Sequence, residues 1–493
     1  MSSFDERTRS CIQQGRVLCF QEISAARESE FVCVGWIATS SALRQNPERM
    51  KEYIDLLRHN PNFKYLWFGS IVSQFGDWFT VIASAELITR LTDGGVALSY
   101  LFLARFLPLF LFSPFAGVLA DRFNRKYIMI LSDVLRAVTV LGFLWVRDPG
   151  DIWYFYLLTV VQFSLSALFT PARGAVLANV VRPGELVAAN ALDSLTWSTM
   201  LALGAFLGGI VAAFFGEDAA FIADSVYFLL SAIFIGRIVL PDWAATGQTI
   251  TDSATAGAHI SRRFAFLDGF RYLWHEHFIL GIALAKAGGS LVWGAINVLE
   301  ITYANDLFPL SGSSRFGVAD PGTATLGLIY VVSGLGTGIG PLLMRRRLGD
   351  SPRRLMMGVS LGFVIMTVGT AWLALVNSLG SLLLATVMRT LGTGTLWVFS
   401  AALLQTIVPD KYRGRVFAFE FAALTMTQSI STLAGGYMLD TTGLSMQSVM
   451  GVMAGVGLVM TLLWLGFHFA YRRPLLAGLI PVRGIERNPQ QIS

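Results

Sequence analysis

The feature that most constrains this chain is a succession of apolar runs, each about as long as a membrane is thick. A hydrocarbon core near 30 Å takes about 20 helical residues to cross. Scanning with that length finds twelve runs, roughly 63–89, 97–119, 127–146, 152–172, 190–215, 219–240, 278–302, 323–343, 355–376, 381–404, 416–439 and 446–470. Only 14% of the 493 residues are charged and 54% are hydrophobic, whereas soluble domains carry about 25% charged residues. A water-soluble fold could bury a large core, but this chain lacks the residues to cover one. The expectation is an all-α polytopic membrane protein with twelve transmembrane helices in two six-helix bundles.

Loop charge sets the expected orientation, because Lys and Arg accumulate on the cytoplasmic side. Alternate loops hold Arg122, Arg125 and Lys126; Arg173 and Arg182; Arg262, Arg263 and Arg271; Arg345, Arg346, Arg347, Arg353 and Arg354; and Lys411, Arg413 and Arg415, with Arg472 and Arg473 after the last run. The opposite loops offer little beyond Arg90, Arg147 and Arg315. Both termini are therefore expected in the cytoplasm, and an odd number of spans would scramble the pattern. The domain boundaries that follow are a cytoplasmic extension at 1–62, a first bundle at 63–240, a central cytoplasmic loop at 241–277, a second bundle at 278–471 and a tail at 472–493. Within the central loop, Phe264, Leu267, Phe270 and Leu273 form a helical apolar stripe. "RGAVLANVVRPGELVAAN", between the fourth and fifth runs, reads as a short surface helix broken at Pro183.

Several function classes are disfavoured. The net charge of +5 comes from interhelical loops, not from a basic face for nucleic acid. Cys11, Cys19 and Cys33 all precede the first run, so they cannot staple the membrane body. The N-terminus lacks the apolar core of a cleavable signal, which leaves the first span as an uncleaved one. No G-x-x-x-x-G-K-[ST] sequence is present, which argues against ATP drive. "HEH" at 275–277 has ligand-type residues but reads as interfacial polarity, and "GLGTGIG" at 334–340 lies in an apolar span. No enzymatic activity, cofactor or metal is expected.

The stretch "GVLADRFNRK", Gly117 to Lys126, places a dense charge cluster between the second and third runs. Here the chain resembles the major facilitator superfamily, whose signature in that loop is G-x-L-a-D-R-x-G-R-K. Gly117, Leu119, Ala120, Asp121, Arg122, Arg125 and Lys126 match it in register. Asn124 replaces the second glycine and is expected to support a left-handed turn. The resemblance implies the major facilitator fold and a conformational latch. In that latch Asp121 faces the N-terminal end of the eleventh span, where Arg413 and Arg415 lie, and Asp133 and Arg136 support the loop. The matching loop of the second half, "GPLLMRRRLGDS", has Met344 in place of the acid. "NPNFKYLWFGSIVSQFGDWFTVIA", "PARGAVLANVV", "ELVAANALDSLTWS" and "VPDKYRGRVFAF" resemble drug:proton antiporters related to macrolide efflux proteins and enterobactin exporters. Two departures separate this chain from that branch. "GAFLGG" at 204–209 has Ala205 for the antiporter proline, and Gln162 is the main polar group where other members carry a fourth-helix arginine.

Ionisable groups within the apolar runs are costly and are default functional candidates. Asp77 lies about 14 residues into the first run, or roughly 21 Å along a helix. Arg105 lies about eight residues into the antiparallel second run, roughly 12 Å from the outer side, so their depths nearly coincide. They are expected to pair or to share a hydrated cavity, as a coupling device or as a fixed structural pair. Glu86 sits near the outer end of the first run, where snorkelling explains it equally well. Lys286 and Arg389 are expected to give the cavity a positive lining suited to an acidic or zwitterionic substrate, with Glu300 near the outer end of its run. Asp224 and Glu420 read as helix-end groups. The functional expectation is a secondary transporter in the cell (inner) membrane, a monomer in the bilayer. It would export an amphipathic drug-like or metabolite molecule by alternating access, with protons as the coupling ion and no nucleic-acid partner. A siderophore exporter or lysolipid transporter is the alternative within transport. A transport-inactive sensor or scaffold is the alternative outside it.

Overall fold

The computed structural model describes residues 47–92, 94–182, 185–239, 271–310, 321–349 and 351–476. The described residues form no strand. They build helices α1 (Pro47–His59), α2 (Pro61–Leu91), α3 (Gly95–Arg122), α4 (Arg125–Leu141), α5 (Ile152–Val180), α6 (Leu186–Gly236), α7 (His277–Ala283), α8 (Ala285–Thr302), α9 (Pro321–Leu348), α10 (Pro352–Leu373), α11 (Leu379–Ile407), α12 (Asp410–Thr441) and α13 (Met446–Leu476). Local chemistry starts several of them. Asn60 accepts a hydrogen bond from the backbone N–H of Phe63 with Pro61 in the first turn of α2, and Ser378 accepts from Ser381 N at α11. Among the described residues, nine segments are long and apolar enough to cross a membrane.

Every predicted run falls within these helices to within a few residues, but continuity differs in two places. The fifth and sixth runs are the two arms of α6, divided where expected by a kink at Gly216 (φ 80°, ψ 169°), a non-helical backbone that glycine adopts without steric cost. The seventh run is divided between α7 and α8 at Leu284. The expected surface helix after the fourth run is instead the end of α5, which continues through Pro171 to Val180. It continues because Ala172, Val176 and Leu177 are buried there against Phe63, Leu66 and Ile235, so tertiary contacts hold the backbone helical. Pro183, the stripe residues Phe264, Leu267 and Phe270, the extension up to residue 46 and the tail from residue 477 lie outside the described residues.

Packing follows a repeated plan. Among the N-terminal helices, α2 packs on α6, α3 on α5, and α4 on both α5 and α6; among the C-terminal helices, α8 packs on α12, α9 on α11, and α10 on both α11 and α13. Two main contacts join the sets, α3 with α12 and α6 with α9. Small residues let backbones approach closely. A Cβ on Gly209 would lie 3.2 Å from the Cα of Gly327, across the α6–α9 contact. Other glycines serve the same purpose: a Cβ on Gly336 would meet Thr390 Oγ1 at 2.0 Å, and one on Gly208 would meet the Cα of Phe79 at 3.1 Å. Outward-facing side chains remain apolar, Leu131, Val138, Leu384 and Leu463 each being about 60% exposed. A surface of that kind is at home in lipid and unsuited to water.

Close approach of α10 and α11 should be directly measurable. A Cβ on Gly392 would sit 2.3 Å from the backbone N of Met366, while one on Gly380 would meet nothing within 4 Å. Gly392→Leu is therefore expected to destabilise the purified protein by about 1–3 kcal/mol or more, and Gly380→Leu to leave its thermal midpoint unchanged. Equal midpoints for the two variants would show that this helix contact is not tight.

Candidate functional site

The charges within the apolar helices gather in two groups, one on each set of helices; all are buried except Asp77 and Arg105, which are half-buried. The N-terminal group comprises Asp77 on α2, Arg105 on α3, Asp133 and Arg136 on α4, and Asp224 on the second arm of α6. Asp133 and Arg136 are one helical turn apart and form a fully buried ion pair. Ser231 donates to the second Asp133 oxygen at 2.6 Å, and the Arg136 guanidinium lies 4.3 Å from the ring centre of Phe228 and 4.7 Å from that of Phe169. Their charges also act on Asp77. The structure thus brings Asp133 and Arg136, expected as supports of the loop latch, into the central cluster.

Asp224 was expected near a helix end, but it lies about two turns into its arm and is fully buried. One of its carboxylate oxygens accepts a hydrogen bond from Thr80, and the other has no partner. A Cβ on Gly76 would fall 2.0 Å from that free oxygen, so glycine beside Asp77 makes the room for it. The sequence signal was the carboxylate's presence within an apolar run.

Asp77 and Arg105 interact by charge across a gap. Among the described residues, neither belongs to an ion pair or donates or accepts a side-chain hydrogen bond. The Arg105 guanidinium stands 4.4 Å from the ring centre of Phe163. It also faces the charge of Asp224 and the hydroxyl of Tyr330, which is contributed by α9. Tyr330 in turn feels Glu300 and Arg389 and packs 5.5 Å from Trp78, ring centre to ring centre. It stands between the two charge groups.

In the C-terminal group both bases are already neutralised. Lys286 Nζ lies 3.0 Å from a Glu420 oxygen and 4.5 Å from the ring centre of Trp397, and Arg389 is hydrogen-bonded to Glu300. The expected positive lining from Lys286 and Arg389 is therefore absent in this arrangement, and Glu420 is an ion-pair partner instead of a helix-end group. The pairs tie α8 to α12 and α8 to α11. Trp397 stacks nearly parallel to Trp197 from α6 with centres 6.3 Å apart, so an aromatic contact also crosses between the helix sets.

At one end of the molecule, polar contacts join the two sets. Glu86 accepts a hydrogen bond from Thr323 of α9, and Asp440 of α12 accepts from the backbone N–H groups of Gly95 and Val96 at 2.8 and 2.9 Å. A carboxylate at the first turn of α3 is favoured by the helix dipole as well as by these bonds. A cavity of about 380 Å³ opens there, lined by Glu86, Arg90, Asn305 and Asp306 among others. Glu86 is thus held by a partner on the other helix set, which simple snorkelling did not require.

At the opposite end lie the residues of the expected latch. Gly117, Asp121 and Arg122 occupy the last turns of α3, and their side chains lie outside the described residues. Asn124 has φ −63° and ψ 114°, so it does not adopt the expected left-handed turn; it N-caps α4, accepting from Lys126 N at 3.0 Å. An extended cap residue fits here because α4 begins at once and needs a partner for its free N–H groups. Lys126 reaches the carbonyls of Gly236 and Ile238, both at 2.7 Å, capping the end of α6, and Arg125 is buried. Arg413 reaches back to the carbonyls of Gln405 and Val408 at the end of α11, and Arg415 lies over Tyr412. The sequence did not single out the Arg173–Asp193 ion pair between α5 and α6, in which Arg173 also donates to Ser70 at 2.6 Å. Around "HEH" no group of three metal-ligating side chains forms among the described residues.

The buried pairs make a stability prediction. Glu300→Gln leaves the Arg389 cation unpaired in the core and should cost about 3–5 kcal/mol, read as a fall in the thermal midpoint of purified protein. Joint replacement of Glu300 and Arg389 by leucine should recover most of it. A double variant as unstable as the single one would mean that the pair's charges are not the cause.

Comparison with known proteins places this arrangement. The chain is 27% identical over 403 residues to the uncharacterised MFS-type transporter YfiS of Bacillus subtilis (strain 168), covering 79% of this chain and 90% of that one. It is 28% identical over 236 residues to a protein named as bacilysin exporter BacE of Bacillus amyloliquefaciens, covering 48% of this chain and 57% of that one. The fold is similar to that of the nucleoside transporter NupG, with a TM-score of 0.59 at 14% identity over 82% of this chain and 98% of that one. The family model of the Major Facilitator Superfamily matches residues 66–320 and 316–484. These long apolar helices, with charges buried between two similarly packed sets, belong to a multi-pass membrane transporter of the Major Facilitator Superfamily.

Proposed function

We propose that this transporter exports an amphipathic drug-like or metabolite molecule from the cytoplasm by alternating access, in exchange for protons. The observation that carries the proposal is the open Asp77–Arg105 pair, an acid and a base within the helices without direct partners, while Arg136, Lys286 and Arg389 are each paired with a carboxylate. Twelve spans support it. The nine strongly apolar segments become twelve when Gly216 divides one of them and α2 and α12, whose several charges mask their apolar character, are included. In this reading the protein sits in the cell's inner membrane, and the excess of Lys and Arg in alternate loops supports cytoplasmic termini. The end closed by Glu86–Thr323 and by Asp440 on α3 is the outer end in that orientation, so this conformation faces inward. The exporter name carried by a relative of the same family agrees with outward transport.

Asp77 is the proton carrier in this scheme. A proton arriving from outside neutralises it and weakens its hold on the substrate, so proton and substrate compete for one state. Chemical transfer needs no cofactor, and a monomer suffices because both helix sets come from one chain. The cluster at Asp121 serves as the latch for the opposite conformation, in which the end now sealed opens and α3 meets α12 at the cytoplasmic side.

Two measurements test this. In inverted membrane vesicles, uptake of a panel of fluorescent amphiphiles should follow an imposed pH gradient and fall at least about tenfold in Asp77→Asn, with the thermal midpoint unchanged. Uptake that survives both this substitution and a protonophore excludes proton coupling. Asp121→Asn should slow transport severalfold while leaving the same amphiphile's affinity for detergent-purified protein nearly intact. Lost binding with normal turnover would contradict the latch.

A further inference from the structure

Asp77 and Arg105 are opposite charges on two helices of the same set that feel each other yet do not touch. Every other base in the two groups is directly paired: Arg136 with Asp133, Lys286 with Glu420, Arg389 with Glu300. A polypeptide that closes three pairs and leaves a fourth open retains hydrogen-bonding capacity at that point. The guanidinium is held over the Phe163 ring, and none of its five N–H donors has a protein acceptor among the described residues. The aromatic rings of Phe163, Trp78 and Tyr330 supply an apolar wall beside the two charges.

We infer that the open pair is a recognition site for a zwitterion, taking a substrate ammonium at Asp77 and a substrate carboxylate at Arg105. A planar guanidinium fork matches a carboxylate in a bidentate manner. Both ends of such a ligand find an opposite charge, so neither protein charge is left uncompensated when the ligand separates them further. The neighbouring charges fit this assignment. Asp77 faces Arg136 and Arg105, with Asp133 and Asp224 behind; Arg136 is committed to Asp133, so Arg105 is the base available to a ligand. Arg105 faces Asp77, Asp224 and the Tyr330 hydroxyl from α9.

A zwitterion also makes the direction of coupling consistent, a point that rests on the proton role proposed for Asp77. A purely anionic substrate would bind better once Asp77 is protonated, since the acid would no longer compete for Arg105, and that linkage yields co-transport. An ammonium competes with the proton for Asp77, and competition yields exchange.

The test uses binding alone, on full-length protein purified in a maltoside detergent, by titration calorimetry. Two zwitterions, L-tryptophan and the longer 11-aminoundecanoate, are each compared with their N-acetyl derivatives, which lack the cation, and their methyl esters, which lack the anion. At least one zwitterion should bind roughly tenfold or more tighter than both of its single-charge analogues, the effect of one charged hydrogen-bonded contact. Asp77→Asn should erase the preference over the N-acetyl form while keeping that over the ester. Arg105→Gln should do the reverse, and Arg105→Lys should retain part of the carboxylate preference. If neither zwitterion outbinds its analogues, or if both variants weaken all forms equally, the assignment is overturned. Proton-driven uptake of an amphiphile lacking either charge would leave the export reading standing and remove this one.

Discussion

Uncompensated charge in a hydrocarbon interior is the constraint on which the rest of this molecule depends. Each ionised side chain there costs several kcal/mol unless a partner or water accompanies it. Among the described residues nine such groups lie within the membrane-spanning helices, from Asp77 and Arg105 to Glu420; seven of them are buried, and six are resolved by pairing. Lys286–Glu420 and Glu300–Arg389 bind α8 to its neighbours, and Asp133–Arg136 is locked further by Ser231 and two aromatic rings. Pairing fixes where those helices sit. It also sets apart the places where the rule is relaxed, at Asp77 and Arg105 and at Asp224 beside them.

Helix ends are managed by the same electrostatics on a smaller scale. Asp440 meets the free N–H groups that open α3, while Lys126 and Arg413 meet the free carbonyls that close α6 and α11. Each contact sets a side-chain charge against the opposite end of a helix dipole. Asp440 and Glu86 do so, or bond, between the two helix sets, and these contacts are few and exposed enough to be released. Lys126 and Arg413 act within a set and hold it rigid.

Much of the fold was legible in the sequence because the bilayer imposes a length and a polarity on every helix. Runs of about 20 apolar residues located α2 to α13 to within a few residues. Where continuity was misjudged, the cause was tertiary: burial of Ala172, Val176 and Leu177 carried α5 past its proline. The candidate site was legible residue by residue but not in its pairing. Asp77, Arg105, Glu300, Lys286 and Arg389 stood out as charges in apolar runs. That Lys286 is neutralised by Glu420, 134 residues away in sequence, or that Asp224 reaches Thr80, has no local signature.

The sequence by itself determined that this is an all-helical membrane protein of the Major Facilitator Superfamily, since length, hydropathy and the Gly117–Lys126 motif are local properties of the chain. Only the tertiary structure decided which charges meet. Ion pairing depends on distances between side chains on separate helices, and those distances are set by close packing at glycines and small residues around a common core. That packing closed three pairs and left Asp77 and Arg105 facing each other across a gap.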